Sequence, residues 1–135
     1  GQTQRVNIAR CLMHDPKYYI LDEATSGLDI ISSQIILDFI KSEKEKGKII
    51  IYSTHYMEEA ENADRVVVMN DGVIIADGTP KQIFADVKML KSVGLDVPQT
   101  TELLYMLNQN GMAIPTDVLS IEETANVIAH YLEEK

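Results

Sequence analysis

The sequence predicts an α/β fold: a parallel sheet flanked by helices, followed by a β-hairpin and a helical tail. Two observations predict the sheet. Tyr18-Tyr19-Ile20-Leu21 and Ile49-Ile50-Ile51-Tyr52 are short apolar runs rich in β-branched and aromatic residues, as buried strands are. The stretch between them carries an apolar stripe at helical spacing, and strands joined by a helix of that length pair in parallel. The third observation is Asn70-Asp71-Gly72 between apolar runs, a strong hairpin signal.

Taken in order, residues 2–13 are expected to form a helix. Val6, Ala9 and Met13 recur at spacings of three and four, which marks one buried face, and Asp15-Pro16 ends it. Residues 17–22 are the first strand. Asp29 is placed to cap a second helix that runs to about residue 46, with Ile31, Ile35, Ile36, Phe39 and Ile40 as its stripe. The mixed-sign run from Lys41 to Lys46 reads as a solvated helix end. Gly47 stops that helix and residues 48–53 form the second strand. A short helix is expected at 56–63, where Glu58, Glu59 and Glu61 form an acidic first turn favoured by the helix dipole. Hairpin strands follow at 65–69 and 73–76. Thr79 then caps a short helix that has Pro80 in its first turn.

Composition narrows the function classes. At 135 residues the chain can bury one modest core. Its formal charge of −9 argues against nucleic-acid binding, which calls for a basic patch. The sequence has no apolar run near the roughly 20 residues of a membrane-spanning helix. Its single cysteine, Cys11, cannot form an internal disulfide and sits in an apolar-periodic stretch, so it reads as a buried structural thiol.

The chemistry concentrates where the strands end. In open α/β sheets ligands bind outside the carboxyl ends of the strands, and Asp22 and Glu23 fall at such an end. Adjacent strand residues point to opposite faces, so the two carboxylates can take different tasks. Asp22 is a candidate Mg²⁺ ligand and Glu23 a candidate base for an attacking water. His55 follows the second strand on the same sheet edge, where an imidazole can donate to a phosphate oxygen.

Upstream stands Gly1-Gln2-Thr3-Gln4-Arg5-Val6-Asn7-Ile8-Ala9-Arg10. With Asp22-Glu23-Ala24-Thr25-Ser26-Gly27-Leu28-Asp29 and Ser53-Thr54-His55, it resembles, in order, the signature tail, the Walker B segment with its D-loop, and the switch histidine of ABC-transporter ATPases. The resemblance covers residues 1 to about 85. It implies a P-loop NTPase-type sheet, with ATP and Mg²⁺ as cofactors. Gly1 and Gln2 would close the signature and touch nucleotide. Asp22 would serve the magnesium ion and Glu23 would be the catalytic base. Asp29 would close the D-loop, and His55 would sense the γ-phosphate. Ala24 departs from the proline common in the family and leaves the acids untouched.

The sequence contains no G-x-x-x-x-G-K-[ST] phosphate cradle. Its one Gly-Lys pair, Gly47-Lys48, is followed by isoleucine. The chain is therefore expected to be the carboxyl-terminal part of a longer protein, with the Walker A half missing, and to hydrolyse no ATP by itself. Residues 1–85 would be the last part of the ATPase domain and residues 86–135 a helical extension. That extension carries Val93-Gly94-Leu95-Asp96-Val97-Pro98-Gln99-Thr100-Thr101-Glu102-Leu103, and later Ile114-Pro115 and Val118-Leu119-Ser120-Ile121-Glu122-Glu123. These strings are similar to the tail of energy-coupling factor ATPases. Ser120 and Glu123 make a capping box. Ile121, Ala125, Ile128, Ala129 and Leu132 follow as one apolar stripe, and Leu103, Met106 and Leu107 make a shorter one.

The resemblance implies an ATPase subunit of an ABC-type importer, coupling ATP hydrolysis to transport. It would pair with a second ATPase subunit, as a homo- or heterodimer, partly through the tail. It would also bind an integral-membrane transporter subunit and sit peripherally on the cytoplasmic face of the cell membrane. Two alternatives stand beside it: a non-catalytic truncated interaction module, and the ATPase of another ABC system.

Overall fold

The computed structural model describes residues 13–133 together with Thr3, Val6 and Arg10. By its internal contacts the chain divides into two units, Gly1–His55 and Tyr56–Lys135.

The first unit is a strand–helix–strand motif. Strand β1 (Tyr18–Asp22) and strand β2 (Ile49–Ser53) pair in parallel across helix α1 (Ile30–Glu45). The register runs from Tyr18 opposite Ile49 to Asp22 opposite Ser53, so the two strands end on the same rung. Asp29 caps α1, its Oδ1 accepting the Ser32 amide at 2.9 Å. Gly47 follows the helix with φ +78° and its amide donates to the Lys44 carbonyl. A residue with a Cβ tolerates that backbone poorly, and this is how the helix stops at Glu45, with three residues left before β2.

Helix α1 covers one face of the pair. Tyr19 is buried and meets Phe39 edge to face, with ring centroids 5.4 Å apart. The buried face of α1 is Ser32, Ile36 and Glu43, while Ile31 and Ile35 of the expected stripe are exposed. The other sheet face is exposed at each of Tyr18, Ile20, Ile49 and Ile51, at Ile20 to 80%. Parallel strands are normally covered on both sides. Of the amino-terminal stripe, Val6 and Met13 are exposed, while Ala9 and Cys11 lie outside the described residues. Periodicity shows that a face is apolar; it does not show what lies against it.

The end of α1 departs from expectation. Glu43 is only 3% exposed and is not part of a solvated helix end. Its Oε1 takes Lys46 Nζ at 2.6 Å, and its Oε2 takes Lys48 Nζ at 2.5 Å and the Tyr19 hydroxyl at 2.9 Å. Lys48 also pairs with Asp15. Hydrogen bonds from Lys46 and Lys48 hold the Glu43 carboxyl down to about 2. The hydrogen bonds that Lys48 donates to Asp15 and Glu43 raise its ammonium, and burial raises the Tyr19 phenol. Lys48 is thus committed to an ion network at the amino ends of the strands.

The second unit begins with α2 (Met57–Ala60), shorter than expected, and an antiparallel hairpin of β3 (Val66–Asn70) and β4 (Val73–Gly78). Asp71 and Gly72 have φ of +49° and +77°, as a tight hairpin turn of the primed type requires. Helix α3 (Pro80–Ala85) carries a full capping box between Thr79 and Gln82. Helices α4 (Val87–Ser92), α5 (Gln99–Gln109) and α6 (Ile121–Glu133) follow. Met57, Val68, Phe84, Val87, Leu90 and Leu119 are among the residues of this unit's core.

Helix α5 buries Thr101 and Leu104, both at 0% exposure, whereas Leu103 and Met106 of the expected stripe are exposed. Asn108 reinforces that choice. Its side-chain amide donates to the Leu104 and Ile114 carbonyls, and its Oδ1 accepts the Ile114 amide. In α6 the Ser120 hydroxyl accepts the Glu123 amide at 3.2 Å. Ile121, Ala125 and Ile128 of its stripe line an open groove of about 680 Å³ together with Leu103, Leu119, Glu58 and Glu61. Burial, and then the nearby Glu58 charge, raises the Glu61 carboxyl.

Candidate functional site

Four polar side chains meet where β1 and β2 end. Asp22 is the last residue of β1 and Ser53 the last of β2, opposite one another on the final rung. The Ser53 hydroxyl donates to Asp22 Oδ1 at 2.5 Å. Its oxygen also accepts the backbone amide of Glu23 at 2.9 Å. One serine thus uses donor and acceptor together, and ties the two acids to the neighbouring strand.

Glu23 leaves the sheet with φ +42°. An L-residue pays about 1–2 kcal/mol for that left-handed backbone. A turn follows, in which the Ser26 amide donates to the Glu23 carbonyl at 3.0 Å. The strained step re-aims the chain at the strand end. Glu23 Oε1 then lies 3.4 Å from His55 Nδ1, with the two side chains 53% and 49% exposed. The pair is open to solvent and to a ligand. With a proton on Nδ1, His55 donates to Glu23; Nε2 is then an acceptor in the neutral ring and a donor in the imidazolium.

The six residues singled out in the sequence fall into three groups. Asp22, Glu23 and His55 come together at the strand ends. Asp29 stands at the start of α1, where both its carboxylate oxygens are engaged by Ser32, the amide at 2.9 Å and the hydroxyl at 2.7 Å. Gly1 and Gln2 lie outside the described residues. Sequence reasoning gave Ser53 no role, because its place is set by the parallel register, in which the two five-residue strands end on the same rung and Ser53 stands against Asp22.

Asp22 is an oxygen ligand of the kind Mg²⁺ prefers. Among the described residues no cluster of three or more acidic, histidine or cysteine side chains could hold a metal ion. A lone carboxylate beside a hydroxyl still fits Mg²⁺, which usually keeps several waters and takes its remaining ligands from substrate phosphates.

Comparison with known proteins shows what the chain is similar to. The ABC transporter family model matches residues 1–26, the segment that contains both acids. The energy-coupling factor transporter ATP-binding protein EcfA1 of Caldanaerobacter subterraneus subsp. tengcongensis is 48% identical over 129 residues, 95% of this chain and 47% of that protein. The chain is similar to energy-coupling factor ATP-binding proteins along nearly its whole length. EcfA1 of Clostridium novyi is 46% identical, over 95% of this chain and 46% of that protein. EcfA2 of the same Caldanaerobacter is 46% identical over 134 residues, 98% of this chain and 47% of that protein. The resemblance carried by the motifs, including the tail, is thereby borne out. The chain spans about half the length of the curated relatives it matches. Among the described residues no helix is long and apolar enough to cross a membrane.

Proposed function

We propose that this chain is part of the ATP-binding, ATP-hydrolysing subunit of an ABC-type importer of the energy-coupling factor class. The observation that carries the reading is the meeting of Glu23 and His55, 3.4 Å apart, beside Asp22 at the carboxyl ends of two parallel strands. In α/β sheets that edge is where phosphate ligands bind. The similarity to energy-coupling factor ATP-binding proteins supports the same reading.

In this reading residues 1–85 complete a P-loop NTPase-type domain and residues 86–135 form a helical extension. The exposed apolar face of β1 and β2 supports a further layer packed on that face in the complete subunit. Glu23 accepts a proton from, or orients, the water that attacks the γ-phosphate. With both ring nitrogens protonated, His55 donates from Nε2 to a γ-phosphate oxygen and from Nδ1 to Glu23, and so links that oxygen to the base. Asp22 holds Mg²⁺, which when bound neutralises phosphate charge. Gly1, Gln2 and Asp29 act across the interface with a second ATPase subunit. The open groove between α5 and α6 supports a tail that takes part in that pairing. An integral-membrane subunit receives the resulting motion, on the cytoplasmic face of the membrane.

The test is Glu23→Gln in the complete subunit. Loss of a positioned base lowers turnover by about 10²- to 10⁴-fold, while ATP binding is retained because the amide keeps the shape and leaves Asp22 in place. Turnover within twofold of wild type would remove Glu23 as the base and overturn the proposal.

A further inference from the structure

We infer that Ser53 is the positioning residue of this site: it sets the Asp22 carboxylate and the Glu23 backbone through a single hydroxyl. The inference rests on the ATPase reading above and adds to it a residue that acts through Asp22 and Glu23.

Ser53 Oγ has one proton and two lone pairs. The proton goes to Asp22 Oδ1 at 2.5 Å, and one lone pair receives the Glu23 amide at 2.9 Å. These two contacts fix different things. The first holds one carboxylate oxygen of Asp22, so the carboxylate cannot rotate freely about its bond. The second holds the Glu23 amide while that residue keeps a left-handed φ of +42°. Strained backbone of this kind persists only where its surroundings over-determine it. The turn hydrogen bond from Ser26 to the Glu23 carbonyl anchors the other side of the same peptide segment. With the Ser53 contact gone, Glu23 can relax toward an extended φ and swing its carboxylate away from His55. The rung itself survives, because Asp22 and Ser53 remain paired through the strand backbones.

A chemical link between the two acids follows. Donating to a carboxylate makes the serine oxygen a better acceptor for the Glu23 amide, since hydrogen bonds in a chain polarise one another. Disturbing the Asp22 carboxylate should therefore be felt at the Glu23 amide through Ser53, in addition to the peptide bond that joins the two residues.

The experiment compares Ser53→Ala and Ser53→Thr in the complete subunit. Two readouts are taken: hydrogen exchange of the Glu23 amide without nucleotide, and ATPase kinetics with Mg²⁺ titrated. Ser53→Ala is expected to speed Glu23 amide exchange, lower kcat by about 10- to 100-fold, and raise the Mg²⁺ concentration for half-maximal rate. The melting temperature should stay near wild type. Ser53→Thr restores the hydroxyl on a strand-compatible side chain and should recover most of the loss on both readouts. Wild-type exchange and kinetics in Ser53→Ala would overturn the inference. So would equal loss in the alanine and threonine variants, or a loss matched by a large fall in melting temperature. Glu23→Gln in parallel separates the two proposals. If Glu23→Gln is inactive and Ser53→Ala is normal, only the positioning role fails. If Glu23→Gln turns over normally, the ATPase reading of the site fails, and amide exchange alone still reports on the Ser53 contact.

Discussion

Glu23 offers a test that separates what favours stability from what favours function. Its φ of +42° places an ordinary side chain in the left-handed region, at a cost of about 1–2 kcal/mol. Glycine there carries no such cost, but loses more chain entropy on folding, about 0.4–1 kcal/mol. Comparing Glu23→Gly with Glu23→Ala isolates the backbone, because both variants lose the contact with His55 and both keep the amide that Ser53 accepts. The glycine variant should be the more stable by about 0.5–1 kcal/mol. That corresponds to roughly 1–4 °C in melting temperature for a domain of 150–250 residues. Calorimetry or a urea titration of the complete subunit reads the difference, and ATPase assays should find both variants inactive. An alanine variant as stable as the glycine one, or more so, would refute the claim that the strand end stores strain. A more stable glycine variant that still hydrolyses ATP would refute the link between that strain and function.

Two further outcomes follow from groups away from the strand ends. Glu43 titrates near 2 in the folded chain, below its ordinary value of 4.5, because Lys46 and Lys48 donate to it. Its stabilising contribution is therefore complete above about pH 4.5 and is lost as pH falls toward 2; in Glu43→Gln the acid side of the stability-versus-pH curve should flatten over that window, measured by denaturant titration at each pH. The Thr101 hydroxyl is fully buried in α5 with no hydrogen-bond partner among the described residues. Thr101→Val, which keeps the shape and removes the unpaired group, should stabilise by about 1 kcal/mol. A fall in melting temperature on that substitution would mean the hydroxyl is satisfied in solution.

Local signals were legible wherever the physics is local. The Asp29 and Thr79 caps, the Gly47 stop and the Asp71-Gly72 turn each depend on a few neighbouring residues, and each stands where the sequence placed it. The parallel pairing followed from strand, helix and strand in succession. Helix faces were less legible. In α5, Leu103, Leu104, Met106 and Leu107 are all apolar, so two overlapping stripes satisfy the same periodicity, and Thr101, Leu104 and Asn108 were chosen by the neighbours they meet. Glu43 was hidden for a related reason. Within a mixed-sign run it resembles any solvated acid, and only Tyr19 and Lys48, distant in sequence, make its burial tolerable.

The candidate site divides in the same way. The sequence alone determined its chemistry: two adjacent acids at one strand end, a histidine after the next strand, and the order of motifs that ties them to ATP-binding relatives. Only the tertiary structure decided how they are held. Parallel register sets Ser53 against Asp22, a left-handed backbone turns Glu23 toward His55, and neither arrangement can be written in residue types. Register and backbone twist depend on pairing between segments some thirty residues apart, a relation that short-range patterns do not encode.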